Sequence, residues 1–323
     1  MKVSIIIPVL NERKFIKRCL ESILKNNYRK DLLEILIFDG GSNDGTYEIL
    51  KEYEKKYEFI KLFHNPKKYQ VCALNEGIRK AKGDIIIRCD AHSEYPENYI
   101  STLVHYHKLN LADNIGGVWE VLPGNNTLEA KAISIAMNSK FGVGISYRTL
   151  KNLDKPIYVD TVPFGSWKKE AFEKYGLFDE NFIRAQDFEH NIRIKLKGGK
   201  ILLIPWLKIK YFARENLKKL SKMSYQYGYA KILILKKFKF FGNKRQLIPP
   251  LFVLTLPISL PLYLFLYSFI SVWLSCKNKN FKLFPYILLA FFSMHFFYGV
   301  GYLKGIWDVF IKKKVKKDFG ITR

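Results

Sequence analysis

Two long stretches without a single charged residue lie in the last third of the chain. Gln246 to Cys276 contains 31 residues and Leu283 to Leu303 contains 21. A helix needs about 20 apolar residues to cross the hydrocarbon core of a bilayer, and the short link between the stretches predicts a helical hairpin. Because the first stretch contains four prolines, we expect a kink or a re-entrant entry near its start. The hairpin therefore either spans a membrane or dips into one leaflet.

Basic residues are concentrated around these stretches. The part from Asn216 to Arg323 has 19 Lys or Arg against 2 Asp or Glu, so it carries +17 of the chain's formal net charge of +25. Five basic residues precede the first stretch, between Lys236 and Arg245, six follow the second from Lys312 onward, and three lie in the link. By the positive-inside rule, both flanks face the cytoplasm. This arrangement favours an anionic membrane surface, and not nucleic acid, as the partner of the basic residues.

The first 110 residues alternate between strand and helix patterns. Val3 to Pro8 is a continuous apolar run, as in a strand covered on both faces, and apolar residues at helical spacing follow it. Three more strand patterns occur at Leu33 to Phe38, Phe59 to Phe63 and Asp84 to Cys89, with helices between them. This order is typical of an α/β fold with a mostly parallel, doubly wound sheet. Such sheets bind their ligands beyond the carboxyl ends of the strands.

Composition divides the chain into four segments. Residues 1–215 are predicted to form the α/β domain. Residues 216–245 are predicted to form a basic amphipathic helix and linker, which either packs on that domain or lies at the membrane surface. Residues 246–303 contain the two apolar segments, and residues 304–323 form a basic cytoplasmic tail.

Three acidic positions are candidates for a site. Asp39 and Asp90 each follow a predicted strand, and Asp187 lies at the start of a predicted helix. Asp90 and His92 are two residues apart in an extended segment, so their side chains point the same way and can meet one ion. A carboxylate with an imidazole suits Mn²⁺ or another borderline cation, whereas Mg²⁺ prefers oxygen ligands alone. In isolation, such a pair is more often a polar turn at the end of a strand.

Seven short motifs follow one another along the chain, and their order is more specific than any one of them. They are IIIPVLNE at 5–12, DGGSNDGT at 39–46, DAH at 90–92, VDTVPFG at 159–165, YGLFDE at 175–180, QDFE at 186–189 and HFFYGVG at 295–301. With these motifs the chain resembles the inverting nucleotide-sugar glycosyltransferases of family 2, which have the GT-A fold. Within that family it is most similar to the subgroup of the succinoglycan glucosyltransferases. The resemblance covers nearly the whole chain.

The resemblance implies a donor site for a nucleotide sugar, commonly a UDP-hexose. Asp90 and His92 correspond to the family's D-x-D motif, which binds a divalent metal, and the imidazole makes us expect Mn²⁺ in preference to Mg²⁺. Such a metal neutralises the charge that develops on the diphosphate leaving group. The residues implied to bind the nucleotide sugar are Pro8, Asn11, Glu12, Asp39 and Asp90.

The resemblance also places Asp187 where the family has its catalytic base, at the end of an acidic E-D pair. That carboxylate would deprotonate the acceptor hydroxyl, and in-line attack would invert the anomeric centre. Three positions depart from the family pattern. Gly40 replaces a second Asp, His92 replaces the last Asp of the metal motif, and Gln186 replaces the acidic neighbour of the base. The Q-x-x-R-W motif of processive synthases does not occur, so we expect transfer of a single sugar.

Three further polar residues have a structural explanation beside a functional one. Glu189 is either a charge on a helix surface or a group that orients the base. His190 is expected to be a packed helix histidine. His295 lies inside the second apolar stretch, where a polar group is costly, and we expect it to bond to the neighbouring helix.

The family implies a membrane-anchored enzyme that extends a polyprenyl-diphosphate-linked saccharide at the cytoplasmic face of the cell membrane. Within the same family, the alternative is a polyprenyl-phosphate monosaccharide synthase, whose acceptor is the lipid phosphate itself. A different class is a basic, membrane-bound binding protein with a decayed transferase fold. The four functional side chains occur together, which argues against decay; they are Asp39, Asp90, His92 and Asp187.

Overall fold

The computed structural model describes residues 1–144, 150, 153–239 and 244–314 of the protein. Two of the segments expected from the sequence extend outside the described residues. These are the basic linker, at residues 240–243, and the basic tail, at residues 315–323. Three of the basic residues counted in the flanks lie in the second range, namely Lys316, Lys317 and Arg323, so their placement stays a prediction from the sequence.

The chain divides into two compact units. Unit 1 comprises Met1–Glu120 and Ser146–Tyr211, and unit 2 comprises Val121–Ile145 and Phe212–Arg323. The predicted end of the α/β domain at residue 215 is close to the division after Tyr211. Residues 121–145, which we expected in the α/β domain, group instead with the C-terminal part of the chain.

In the described part of the chain, nine strands form one mixed sheet. The strands are β1 (Val3–Val9), β2 (Leu33–Asp39), β3 (Ile60–His64), β4 (Ile85–Arg88), β5 (Ser93–Glu94), β6 (Asn114–Leu122), β7 (Ile157–Tyr158), β8 (Ser166–Lys168) and β9 (Ile201–Phe212). Their order in the sheet is β3-β2-β1-β4-β8-β6-β9-β5, and β7 also pairs with β9.

Twelve α-helices occur in the same described residues. They are α1 (Ile16–Leu24), α2 (Thr46–Lys56), α3 (Gln70–Lys80), α4 (Tyr99–Lys108), α5 (Leu128–Asn138), α6 (Lys140–Val143), α7 (Glu170–Tyr175), α8 (Gln186–Leu196), α9 (Leu217–Phe238), α10 (Ile248–Leu254), α11 (Leu256–Lys277) and α12 (Phe284–Ile306). Helices α5, α6 and α9 to α12 belong to unit 2, and the others belong to unit 1.

The sheet changes from parallel to antiparallel at β4. Strand β1 pairs in parallel with β2 and β4, and β2 pairs in parallel with β3, as the alternation of strands and helices predicts. Strand β8 runs antiparallel to β4 and β6, and β9 runs antiparallel to β5 and β7. The antiparallel part comes from the region after Asn114, where the sequence pattern is irregular. The change at β4 leaves the loops after β1, β2 and β4 at one edge of the sheet.

Unit 2 contains the two apolar stretches as helices. The first stretch is divided into α10 and α11 at Thr255, each with a proline in its first turn, so the expected kink is a break between two helices. By length and composition, Leu256–Lys277 and Phe281–Ile311 are each apolar enough to cross a membrane. Between α11 and α12, the hydroxyl of Tyr263 lies 2.9 Å from Nδ1 of His295, which is the expected bond to the neighbouring helix.

The basic helix α9 packs along α12. A Cβ added to Gly228 would lie 2.0 Å from the carbonyl oxygen of Tyr298, and one added to Gly301 would lie 2.1 Å from that of Tyr225. Glycine at both positions therefore allows the two backbones to approach closely. The apolar side of α9 therefore packs on α12 within unit 2. The sequence predicts two other positions for this helix, on the α/β domain or at the membrane surface.

Candidate active site

The residues expected to hold a nucleotide lie at the ends of β1 and β2. Val9, the last residue of β1, is in register with Asp39, the last residue of β2, and Pro8 precedes it in the strand. Asn11 and Glu12 follow directly. Parallel register therefore places all of them at the carboxyl edge of the sheet, where α/β folds bind their ligands.

The loops after β1 and β2 interlock through polar contacts. The backbone nitrogen of Asn11 donates to Oγ of Ser42 at 2.9 Å, and Oδ1 of Asn11 accepts from the backbone nitrogen of Asn43 at 2.9 Å. Asp39 is buried, and its Oδ2 accepts from the backbone nitrogens of Gly41 and Ser42, both at 3.0 Å. The carboxylate of Asp39 therefore shapes its own loop, and Asn11 joins that loop to β1.

Glu12, which is buried, pairs with the partly buried His92. Oε1 of Glu12 lies 3.0 Å from Nδ1 of His92, and the backbone nitrogen of Glu12 donates to Oγ1 of Thr46 at 2.9 Å. The imidazole also meets the ring of Tyr211 edge to face at 5.1 Å, and Tyr211 stacks on Trp119 at 4.1 Å. When Nδ1 donates its proton to the carboxylate, Nε2 keeps its lone pair and is the nitrogen that can bind a cation.

Asp90 is held in place by two side chains that sequence reasoning did not assign. Its Oδ1 accepts from Nε2 of Gln70 at 2.8 Å and from Nε and Nη2 of Arg88 at 3.2 and 3.1 Å. Asp90 and Arg88 are both buried. The backbone nitrogen of Asp90 donates to the hydroxyl of Tyr95 at 2.7 Å. The carboxylate therefore has a defined position and a cation beside it.

Arg88 also reaches Asp187. Its Nη1 lies 3.7 Å from Oδ2 of Asp187, and its guanidinium lies 5.7 Å from the centroid of the Phe164 ring. Gln70 makes a second connection, because its Oε1 accepts from Nε2 of Gln186 at 3.0 Å. One guanidinium thus stands between the expected metal ligand and the expected base. The sequence indicates a role for Arg88 only in that it is a charged residue in the otherwise apolar β4. Nothing in the sequence indicates the role of Gln70.

Asp187 is more accessible than the other acidic residues of the site. Its side chain is 30% exposed, against 9% for Asp90, and it is the second residue of α8. Ala185, just before this helix, has a left-handed backbone with φ of 60°, and Phe164 and Asn11 have φ of 61° and 54°. Such conformations are unfavourable for residues other than glycine and persist where surrounding contacts enforce them. All three of these residues lie next to residues of the candidate site.

Glu189 and His190, which follow Asp187 in α8, make structural contacts inside unit 1. Glu189 is fully buried, and its two oxygens accept from Nε and Nη2 of Arg193, both at 2.8 Å. Nη2 of Arg193 also donates to the carbonyl oxygen of Leu177 at 2.7 Å. Nε2 of His190 lies 3.0 Å from the carbonyl oxygen of Gly176, and burial lowers the pKa of His190 to about 3. His190 is therefore a packed, neutral histidine, as expected, and Glu189 is not a surface charge.

As a carboxylate and an imidazole, Asp90 and His92 have the chemistry of two ligands for a divalent cation. A histidine whose second nitrogen donates to a carboxylate, here that of Glu12, is a common arrangement in metal sites. Among the described residues, no group of three or more His, Cys, Asp or Glu could hold a metal by itself. The remaining coordination positions would therefore belong to the ligand and to water.

Comparison with known proteins identifies relatives over nearly the whole chain. The family model described as "Glycosyl transferase family 2" matches residues 4–176. A dolichyl N-acetyl-alpha-D-glucosaminyl phosphate 3-beta-D-2,3-diacetamido-2,3-dideoxy-beta-D-glucuronosyltransferase from Methanococcus voltae is 33% identical over 94% of this chain and 97% of its own length. The succinoglycan biosynthesis protein ExoA from Rhizobium meliloti is 26% identical over 94% of both chains.

Among solved structures, the fold matches that of a mannosyltransferase from Pyrobaculum calidifontis in complex with GDP-Man and Mn²⁺. The TM-score is 0.64, with 17% identity, over 95% of this chain and 87% of the other. This match confirms the fold class expected from the sequence, a GT-A type α/β fold followed by apolar helices.

The buried ion pair of this site can be tested through stability. Arg88→Met should lower the free energy of unfolding by about 3–5 kcal/mol, because it leaves the buried carboxylate of Asp90 without its cation. Arg79→Met is the control, since Arg79 pairs with Glu76 at the surface and should contribute less than about 1 kcal/mol. Urea unfolding of the full chain in detergent measures both. The double variant Arg88→Met/Asp90→Asn should recover part of the loss; equal losses for the two single arginine variants would contradict the assignment.

Proposed function

Because the chain belongs to glycosyl transferase family 2, we propose that it transfers one sugar from a nucleotide sugar to a lipid-linked saccharide. The relative from Methanococcus voltae, similar along its whole length, is named for transfer onto dolichyl N-acetylglucosaminyl phosphate, an acceptor that already carries a sugar. This favours extension of a lipid-linked saccharide over synthesis of a lipid-phosphate monosaccharide. The observation that carries the proposal is the position of Arg88 between Asp90 and Asp187.

The donor is proposed to be a UDP-hexose bound at the carboxyl edge of the parallel strands. Pro8, Asn11, Glu12 and Asp39 line the two interlocked loops at that edge. These loops are fixed by their own hydrogen bonds, so they can hold a nucleotide without first becoming ordered. The sugar diphosphate then extends toward Asp90, which follows β4 at the same edge.

A divalent metal, Mn²⁺ in preference to Mg²⁺, is proposed to be bound by Asp90 and His92. When bound, it supplies positive charge to the diphosphate leaving group. Glu12 orients the imidazole of His92, and Gln70 with Arg88 orients the carboxylate of Asp90. The protein residues therefore position both ligands before the donor arrives.

Asp187 is proposed to be the general base of an inverting displacement. Its carboxylate accepts the proton of the acceptor hydroxyl while the oxygen of that hydroxyl forms a bond to the anomeric carbon. The bond from the anomeric carbon to the diphosphate oxygen breaks on the opposite face, and its electron pair leaves with the nucleoside diphosphate. Arg88 contacts Asp187 with Nη1 and so restricts where the carboxylate can point. A β-linkage results from an α-linked donor.

The catalytic residues are proposed to lie on the cytoplasmic side of the cell membrane, with anionic lipid at its surface. Basic residues flank both apolar stretches, and nucleotide sugars are made in the cytoplasm. Anionic head groups of that leaflet attract such flanks.

The role of Asp187 is tested by Asp187→Asn. This nearly isosteric change removes only the proton acceptor, so kcat should fall about 100-fold or more while the affinity for UDP is nearly unchanged. Asp160→Asn is the matched control, because Asp160 is 78% exposed and pairs with Lys195. Turnover and UDP affinity are measured on the same preparation. If Asp187→Asn keeps turnover within a few-fold of the unchanged protein, Asp187 is not the base.

The metal assignment is tested by calorimetry of Mn²⁺ in the presence of UDP. His92→Ala should weaken Mn²⁺ binding at least about 10-fold, since one of two protein ligands is lost. His105→Ala, which changes an exposed histidine on α4, should leave binding unchanged. Identical Mn²⁺ affinities in all three proteins would rule out His92 as a ligand.

Topology is tested by cysteine labelling of intact cells. In a background with Cys276→Ser, because the other three cysteines are buried, single cysteines replace Lys239 and Lys313 in the two flanks. A membrane-impermeant reagent added outside should label neither, and should label both after permeabilisation. A cysteine at Lys279, in the link, reports whether the hairpin crosses the membrane. External labelling of either flank refutes the cytoplasmic orientation.

A further inference from the structure

Arg214 is a buried cation in unit 2 that the proposed reaction does not use. It follows β9 and is 5% exposed. Its Nε and Nη1 atoms are buried and form no hydrogen bond with any residue that the structure describes. Arg88, the other arginine considered above, is equally buried but lies beside two carboxylates. Arg214 therefore carries a buried charge without a comparable anionic partner in the described residues.

A buried cation without an anion is unfavourable, because the lost hydration is not replaced. The structure nevertheless holds the backbone of Arg214 tightly on both sides. The backbone nitrogen of Ala213 donates to the carbonyl oxygen of Leu122 at 2.9 Å. A Cβ added to Gly124 would lie 2.4 Å from the carbonyl oxygen of Ala213 and 3.2 Å from Cγ of Glu215. These contacts fix the backbone position from which the Arg214 side chain extends.

The surroundings of Arg214 in unit 2 favour an anion. Helix α9 begins three residues later, and its first turn contains no acidic residue. The two nearby carboxylates have other partners: Glu129 accepts from the backbone nitrogen of Leu217 at 2.5 Å, and Glu215 pairs with Lys219 at 3.4 Å. Unit 2 as a whole has 22 Lys or Arg against 4 Asp or Glu.

We propose that Arg214 binds a phosphate oxyanion, and that this anion is the diphosphate of the lipid-linked acceptor. A guanidinium presents a planar fork of donors that matches two phosphate oxygens. Helix α9, which begins beside Arg214, packs along the apolar α12 through Gly228 and Gly301. Arg214 therefore belongs to the same unit as the apolar helices, and a lipid acceptor carries its phosphates next to its apolar chain. The identity of the anion as an acceptor rests on the proposed function; the oxyanion site itself does not.

The oxyanion site is tested by thermal unfolding in detergent, without metal and without nucleotide. Inorganic pyrophosphate and farnesyl diphosphate should each raise the unfolding midpoint of the unchanged protein, and the shift should grow with the logarithm of the ligand concentration above Kd. Arg214→Met should abolish this shift and, without ligand, should unfold at the same or a higher temperature, because it removes an unpaired buried charge. Lys218→Met, an exposed change in the first turn of α9, should keep the shift.

A purely structural role for Arg214 predicts the opposite changes in unfolding temperature and in the pyrophosphate shift. In that case Arg214→Met would unfold at a lower temperature and keep the full pyrophosphate shift, which would overturn the proposal. If Arg214→Met does not fold, Arg214→Lys serves instead: it keeps the charge but loses the fork, and its pyrophosphate affinity should fall at least about 10-fold. An unchanged affinity for Arg214→Lys would also overturn the proposal.

Ligand binding and kinetics distinguish the diphosphate of the acceptor from that of the donor. For an acceptor site, Arg214→Met should lose farnesyl diphosphate binding and raise the KM for the acceptor at least about 10-fold, with UDP affinity and donor KM unchanged. If UDP affinity falls and farnesyl diphosphate binding does not, the anion is the donor diphosphate, and the acceptor assignment is wrong. Since the thermal shift requires no turnover, absence of transferase activity would refute the proposed function without affecting the oxyanion site.

Discussion

The contact of Arg88 with Asp90 and Asp187 is the interaction on which the candidate site depends. A buried guanidinium needs anionic partners, and these two carboxylates come from the end of β4 and the start of α8. The backbone of Arg88 also lies where the two halves of the sheet meet. Its nitrogen donates to the carbonyl oxygen of Gly165 at 3.1 Å, next to β8, while the nitrogen of Cys89 donates to that of Ile6 in β1 at 3.0 Å. Correct pairing of both halves is therefore required to bring Asp90 and the proposed base, Asp187, together.

The parallel half of the fold could be predicted from the sequence, whereas the connections inside the site could not. Strands β1, β2 and β4 are buried on both faces, so they read as largely apolar runs, and the ends of β2 and β4 locate Asp39 and Asp90. The network around Asp90 joins residues far apart in sequence, such as Gln70 and Gln186, which are separated by 116 positions. No local periodicity encodes such a contact, because it depends on how α8 packs on the finished sheet. For the same reason, the grouping of residues 121–145 with unit 2 was not anticipated.

The departures from the family pattern have a local physical context in this fold. A Cβ at Gly40 would lie 3.3 Å from Cδ1 of Leu10 and 3.4 Å from Cα of Lys68, so a side chain there would fit tightly. The loop is held instead by Asp39, which accepts from two backbone nitrogens. His92, at the end of the proposed metal motif, is accompanied by Glu12, whose carboxylate lies 3.0 Å from Nδ1 of the ring. In both cases a neighbouring carboxylate provides the order that the departure would otherwise remove.

Arg88 and Arg214 illustrate two uses of a buried cation in one chain. Arg88 has its anions within unit 1, so its charge is compensated whether or not a substrate is present, and it serves to position carboxylates. Arg214 has no comparable anion among the described residues, so its burial is favourable only when a ligand brings the negative charge. A cation of the first kind positions the side chains around it, and one of the second kind selects the ligand that binds. Unit 2 combines the second kind with its apolar helices, and an acceptor that carries a diphosphate on a hydrocarbon chain matches both features at once.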